Sequence, residues 1–476
     1  MNAVQDTFDL VVVGHGAAGL AAALAAAEAA PQARIVVLEQ ASPEQCGGGT
    51  RWSPANLRMQ SVHALAPDFL RDMHMANGAR HDADYFECLA KEAPATLQWV
   101  QAHGVQFHAP GYYLSAGPPR IQPQGGGASI VSGLMQAAHA AGVTFWYGCR
   151  AEQLRCDASG AIIGIDITQH AKRRSLHTPR VVLASGGFQG NPDMLREHLG
   201  AGAETLRPIS PGSAMNDGVG IRMAQAIGAH TSGNWAGMHS EPVDARSTAS
   251  APVVLVYPYG IVVDQAGQRF IDEGAGLVHE TWEYFSRDIH FKTAARQAWA
   301  ILDARALEIP GLARAVRSDV APIQAQTLDA LAQHTGIDRA GLQATVRAYN
   351  AACLGDTTHF DATRVDGLAS ASHLQPPKSN WACPIERAPF IAYPLVGAIA
   401  YTFGGLATDT QARVLRAGTH ATPIAGLFAA GEITGHFYDS APNAVAVLRA
   451  LVFGRIAGRI AMSTMIQTVS HERLHA

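Results

Sequence analysis

Residues 9–39 begin Asp9-Leu-Val-Val-Val-Gly14-His-Gly16-Ala-Ala-Gly19-Leu, continue as an Ala-rich run to Ala30, and close on Arg34-Ile-Val-Val-Leu-Glu39. Leu10–Val13 and Ile35–Leu38 are short apolar runs rich in β-branched residues, without polar alternation. That is the pattern of strands buried on both faces. The Ala-rich stretch between them has helical composition. The unit is β-α-β, with G-x-G-x-x-G at its first turn and an acid at the end of its second strand. Gly14 makes the tight turn, Gly16 lets the backbone approach a pyrophosphate, and Gly19 lets the helix pack on the strand. The helix N-terminus, with Ala17 and Ala18 in its first turn, faces the phosphates, and Glu39, followed by Gln40, accepts from ribose hydroxyls. The segment predicts a dinucleotide site on a parallel sheet. Leu10–Ala30 is long enough to cross a membrane, but its three glycines and β-rich start argue for strand, turn and helix instead.

Two distant segments extend this unit. Arg180-Val-Val-Leu-Ala184-Ser-Gly-Gly187-Phe188 and Leu427-Phe-Ala-Ala-Gly431-Glu432 are further apolar strands that end in glycine turns. Strands returning to the first sheet with such ends favour FAD over NAD. The composition is compatible with an enzyme of this kind. The 476 residues include 47 glycines, only 16 % are charged, and the formal net charge is −4 with no basic block, which argues against a nucleic-acid partner. A disordered chain, a collagen and a long coiled coil are excluded. The six cysteines are scattered and form no C-x-x-C, which excludes a redox dithiol, c-type haem attachment and a zinc ribbon. Scattered thiols and the absence of an export signal in Met1–Phe8 predict a cytoplasmic protein with no transmembrane segment.

The chain resembles the fumarate reductase/succinate dehydrogenase flavoprotein superfamily. The matching pieces span nearly its whole length: Gly14 to Gly19, Glu39, Gly47-Gly48-Gly49-Thr50-Arg51, Gly125-Gly126-Gly127, Ala184 to Phe188 with Gly187, Asn216-Asp217-Gly218, Gly267-Gln-Arg269-Phe-Ile-Asp-Glu273, Gly404-Gly405, Gly431-Glu432 and Phe453-Gly-Arg455. Pro376-Pro-Lys-Ser-Asn-Trp-Ala382 and Arg51-Trp-Ser-Pro-Ala-Asn-Leu-Arg58 resemble its tricarballylate dehydrogenase branch. The resemblance implies an α/β fold: a Rossmann-like FAD-binding domain, residues 1–238 and 398–476, with an inserted α+β capping domain, residues 239–397. Between these, Ile261–Ile271 reads as a hairpin and Thr327–Asn350 as helical. The resemblance assigns Gly48, Gly49, Thr50, Gly126, Gly127, Gly187, Asp217, Gly431, Glu432, Asn443 and Ala444 to the cofactor, beside the first unit. Succinate dehydrogenases attach FAD through a His before the Gly-Gly turn. Here that stretch is Glu44-Gln-Cys46-Gly47-Gly48, so FAD is expected to be held non-covalently. No haem or iron–sulfur motif is present, so electrons must pass to or from an external acceptor or donor.

The family reaction moves a hydride between flavin N5 and a carbon next to a carboxylate or carbonyl, with a proton exchanged at the neighbouring carbon. It requires donors on the activating group and an acid/base residue. The resemblance assigns substrate binding to His239, in Trp235-Ala-Gly-Met-His239, and to Tyr401, which stands where fumarate reductases carry His. The acid Arg of fumarate reductases falls at Leu277, leaving Arg287 or His279 as replacements, and the loop after Gly431-Glu432 lacks their carboxylate-binding Arg. Both losses argue against fumarate itself. Arg51, Arg58 and Arg120 remain candidate carboxylate clamps, while Arg269 is expected to pair with Glu273 and Arg449 to lie on the following helix. The expected function is dehydrogenation or reduction of a C–C bond alpha,beta to a carboxylate or carbonyl in a small molecule resembling tricarballylate. One alternative is a 3-ketosteroid-type desaturase, kept open by Tyr112, Tyr113, Tyr401 and Tyr438. Another is a redox-silent FAD-binding protein.

Overall fold

A computed structural model describes residues 6–474 apart from 112, 113, 118, 119 and 420, with side chains to residue 463. Tyr112 and Tyr113 therefore lie outside the described residues. The central sheet contains five parallel strands in the order Pro423–Ala429, Val181–Leu183, Leu10–Val13, Ile35–Leu38 and Thr144–Trp146, with Arg413–Leu415 antiparallel at one edge. Leu10–Val13 and Ile35–Leu38 are buried along their whole length, as continuous apolar runs require.

The helix Ala17–Ala29 is buried from residue 17 to residue 27. A helix apolar all round needs cover on every side. The sheet gives it one face, and the helices Gly127–Ala140 and Ala446–Leu474 give it the others. Small residues make this approach possible. A Cβ on Gly454 would lie 2.4 Å from the Ala18 carbonyl oxygen, and one on Gly458 would lie 2.1 Å from that of Ala22. Gly19 is equally close to the turn below it, since its Cβ would meet the Gly14 oxygen at 1.9 Å. The apolar stretch of membrane length is thus the buried centre of the fold.

A three-stranded antiparallel sheet, Cys149–Cys156, Ile162–Gln169 and Lys172–His177, is inserted before Val181–Leu183. The cap sheet is built around the 13-residue strand Phe390–Thr402, which pairs with Met238–Asp244, Ala298–Leu302 and Ile323–Ala325. The expected boundaries after residues 238 and 397 fall inside two of these paired strands, where His239 opposes Tyr401 and Pro242 opposes Gly397.

Two local expectations are corrected. The helical segment 327–350 is two helices, Leu328–Thr335 and Arg339–Ala352, because Gly336 ends the first in the left-handed region at φ +72° and Asp338 caps the second. The hairpin 261–271 is reduced to one bridge, Val263 with Arg269. Its second arm turns inward so that Arg269 Nη2 donates to Glu273 Oε2 at 2.6 Å, both side chains being buried. Buried Lys378 donates to the Pro258 and Gly260 oxygens at 2.6 and 2.7 Å beside this pair. The Pro376–Ala382 motif is therefore anchored in the cap's interior.

The glycine contacts make a stability prediction. Gly458→Ala should destabilise the protein by about 1–3 kcal/mol through overpacking, despite alanine's higher helix propensity. A denaturant titration showing equal or greater stability would refute the role of this contact.

Candidate functional site

A cavity of about 270 Å³ runs along the carboxyl ends of the parallel strands and continues under the cap. In open α/β sheets ligands bind at this edge. Gly14, Gly16, Ala17 and Ala18 line it from the first turn, Glu39 and Gln40 from the end of the second strand, and Gly431 and Glu432 from the last. Gly48, Gly49 and Thr50 form the opposite wall, with Asn443 and Ala444 further along.

Several observations fit this cavity to a dinucleotide. The helix Ala17–Ala29 has no side-chain cap at Gly16 and no acid in its first turn; the Ala17 amide makes a long bond to Thr50 Oγ1 at 3.4 Å, and the helix dipole faces the cavity ready for an anion. A Cβ on Gly16 would meet nothing nearer than the Gly47 oxygen at 3.8 Å, so the space above this glycine is open. The Glu39 carboxylate is held in place by the amides of His15 at 3.1 Å and Ala41 at 2.7 Å. Burial raises its pKa, while these hydrogen bonds oppose the rise. Ala444 adopts a left-handed φ of +66°. Its oxygen accepts from the Arg58 amide at 2.8 Å, and that of Asn443 accepts from Arg58 Nε at 2.9 Å.

Beyond these residues stands the pair His239 and Tyr401, their rings stacked with centroids 4.8 Å apart. His239 Nδ1 donates to Glu283 Oε2 at 2.8 Å, and its Nε2 lies 3.4 Å from Glu241 Oε1. Burial works against charge on this imidazole. The two carboxylates outweigh burial and raise its pKa to about 9. It is therefore a cationic donor at neutral pH. Burial, then the charge of Glu283, raises the Tyr401 phenol well above its ordinary value, so it stays a neutral donor. Next to Tyr401, the Thr402 amide donates to Glu432 Oε1 at 3.2 Å, and Asn216 Nδ2 donates to Glu432 Oε2 at 3.1 Å. Burial raises Glu432 to about 7 against the bonds from the Thr402 amide and the Gln189 side chain.

Six predicted site residues stand off the cavity wall. Gly19 is spent on the turn beneath the first helix. Gly126 and Gly127 back the Gly48–Trp52 turn, where a Cβ would meet the Ser53 oxygen at 3.2 Å and the Thr50 oxygen at 1.8 Å respectively. Gly187 makes room for Glu432, whose Oε1 would lie 2.4 Å from its Cβ. Asp217 pairs with Arg150 and accepts from the Val219 amide. Arg287 is half-buried on the helix Val278–Lys292, one turn beyond Glu283, and does not reach the wall.

The three candidate carboxylate clamps are committed elsewhere. Arg120 pairs with Asp68 at 2.7 Å, Arg58 with Asp68 and Asp72, and Arg51 donates to the Cys46 oxygen at 3.1 Å. Sequence reasoning missed Glu241, Glu283, Trp282 and Arg317. Glu241 follows His239 by two residues on one strand, a spacing that places both on the same face. The other three come from a cap helix and a cap loop, and only the folded chain brings them here.

A family model described as "FAD binding domain" matches residues 9–443. The chain belongs to this family. It is a member of the fumarate reductase/succinate dehydrogenase flavoprotein superfamily and an FAD-dependent oxidoreductase acting on CH–CH groups. It is 27 % identical to the probable fumarate reductase Ifc3 of Shewanella frigidimarina, over 95 % of this chain and 74 % of that protein. It is 29 % identical to the 4-oxocyclohexanecarboxylate 2-dehydrogenase of Sinomonas cyclohexanicum, over 96 % and 93 %. The open conformation of a flavocytochrome c3 fumarate reductase superposes with a TM-score of 0.77 at 25 % identity, covering 96 % of this chain and 78 % of that one. Among the described residues no helix is long and apolar enough to cross a membrane.

The open space at Gly16 yields a clean test. A Cβ at this position meets no protein atom nearer than 3.8 Å, so Gly16→Val is expected to fold and to lose bound flavin by at least tenfold. Flavin absorbance per protein would measure this, with circular dichroism as the folding control. Full loading of folded Gly16→Val would contradict the assignment.

Proposed function

We propose that the protein transfers a hydride between FAD and a carbon adjacent to an activating oxygen-bearing group, and that His239 and Tyr401 bind that group. Bound FAD supplies the two-electron acceptor or donor at its N5. FAD is held without a covalent bond by the first-helix N-terminus, Glu39, the Gly48–Thr50 turn and the Asn443–Ala444 backbone. The observation that carries the reading is the stacked His239–Tyr401 pair on the cavity wall, with Glu283 fixing the imidazole from behind. Nδ1 of His239 stays on Glu283, while Nε2, whose 3.4 Å contact with Glu241 is the longer of the two, turns to the ligand beside the Tyr401 hydroxyl, so that two donors stabilise the negative charge that develops as the C–H bond forms or breaks. Arg287, off the wall, gives way in this reading to Arg317 and Glu241 as the route for the proton at the neighbouring carbon. Both line the cavity, and the charge of Arg317 acts on Glu241. Electrons are exchanged with an external carrier.

His239→Ala and Tyr401→Phe should each lower turnover about a hundredfold, equivalent to about 3 kcal/mol of transition-state stabilisation, with FAD content unchanged. The double variant should lose less than the product of the two factors, because both donors act on one group. Full turnover in either single variant would remove that residue from the reaction.

The pH dependence follows from the raised imidazole pKa. The imidazolium is present below about pH 9 and lost above it, so turnover should fall as pH rises through about 9. Glu283→Gln removes one of the stabilising charges and should move this break to lower pH. An unmoved break would show that the titration belongs to another group.

A further inference from the structure

Arg449 stands where a cation is out of place. It lies in the first turn of the helix Ala446–Leu474, which has no acid in that turn. A helix N-terminus carries partial positive charge and favours anions. Arg449 is also only 1 % exposed, and a buried cation is costly unless a carboxylate pairs with it. Among the described residues its partners are uncharged. Nη1 donates to the Thr434 oxygen at 3.2 Å, Cζ stands 4.4 Å over the Phe437 ring, and burial keeps the Tyr85 phenol beside it neutral. Its Nε is buried without a hydrogen-bond partner. Glu432, on which its charge acts, is bonded instead by the Thr402 amide and by the side chains of Asn216 and Gln189. His239, flanked by two carboxylates, is the contrasting case.

The position of Arg449 says which anion this cation awaits. Ala446, Val447, Arg449 and Ala450 line the cavity from one helix, directly after the Asn443–Ala444 backbone. A Cβ on Gly431 would lie 3.6 Å from that of Ala450, so the helix start packs on the end of the last parallel strand. This is the cofactor's side of the cavity, whereas Glu241, Glu283 and Arg317 come from the cap. The ring of oxidised FAD is neutral. A hydride brings it two electrons and one proton, so the ring then carries one net negative charge. A guanidinium and a helix N-terminus already fixed on the wall meet that charge without rearrangement.

We infer that Arg449, together with the N-terminus of its helix, compensates the negative charge that the flavin ring acquires on reduction, and so raises the reduction potential of the bound FAD. Arg449 thus acts on the cofactor's electron affinity, and the proton at the neighbouring carbon travels elsewhere. The inference rests on the reading of this cavity as the seat of a hydride-carrying FAD. It is independent of the roles given to His239 and Tyr401.

The test is the two-electron reduction potential of the FAD-loaded protein, measured anaerobically and without substrate by equilibration with a reference dye. Arg449→Met keeps the length of the side chain and removes the charge. It should lower the potential by at least about 30 mV, the equivalent of a tenfold change in equilibrium for a two-electron couple. Arg449→Lys, which keeps the charge, should fall by less than half as much. A merely structural Arg449 would change stability or FAD content and leave the potential where it is. An unchanged potential in folded, flavin-loaded Arg449→Met, or an equal fall in Arg449→Lys, would overturn the inference. If Arg449→Met does not load flavin, Arg449→Gln takes its place. If neither loads, the unaltered protein decides, and a potential no higher than that of free FAD would overturn the inference. The two readings fail separately. An unchanged potential would end this one and leave the roles of His239 and Tyr401 standing, whereas full turnover in His239→Ala and Tyr401→Phe would end those roles and leave the potentials of the Arg449 variants as expected here.

Discussion

His239 and Tyr401 face one another because the strands at the two ends of the inserted segment pair with each other. Met238–Asp244 enters the cap, Phe390–Thr402 leaves it, and their antiparallel register sets residue 239 opposite residue 401. The register shifts at this point, between His239 and Ser240. Such irregularities re-aim side chains next to sites. Thr402, the next residue, reaches Glu432 at the end of the last strand of the parallel sheet. One ladder thus joins the two parts of the fold and positions the donors beside the cofactor cradle.

The electrostatics of the cavity change along its length. At one end an uncapped helix N-terminus and fixed backbone amides suit phosphates and ribose. At the other a buried imidazolium is kept charged by two carboxylates. Such a cation costs little to maintain because its partners are preorganised, and it can meet developing negative charge without rearrangement.

The first β-α-β unit was legible from sequence because backbone contacts dictate its residue types. Gly14 and Gly19 have no room for a Cβ, and the apolar strands have no solvent-facing side. His239 and Tyr401 came from family resemblance, and their juxtaposition follows from their places at the two ends of one insertion. The cap was harder. Nothing local in 261–271 says that Arg269 turns inward to meet Glu273, and the break at Gly336 reads as one helix until the cap of the next is recognised. Arg58 reads as a ligand clamp, yet its Nη1 pairs with Asp72 and its Nε donates to the Asn443 oxygen. Glu283 and Arg317 lie 44 and 78 positions after His239, on elements whose orientation toward it has no sequence signature. Arg287 shows the same limit: it shares the helix face of Glu283 but stands one turn further along, and spacing from a motif does not say which turn of a helix meets the cavity.

The central claim is that His239 and Tyr401 together hold the oxygen that activates the reacting carbon. A crystal structure of the FAD-loaded enzyme with a bound substrate or product tests it most directly. The account predicts the ligand's activating oxygen within about 3 Å of both the Tyr401 hydroxyl and the His239 Nε2, with the reacting carbon against the flavin. An activating oxygen turned away from both residues, with His239 bonded only to its two glutamates, would contradict it.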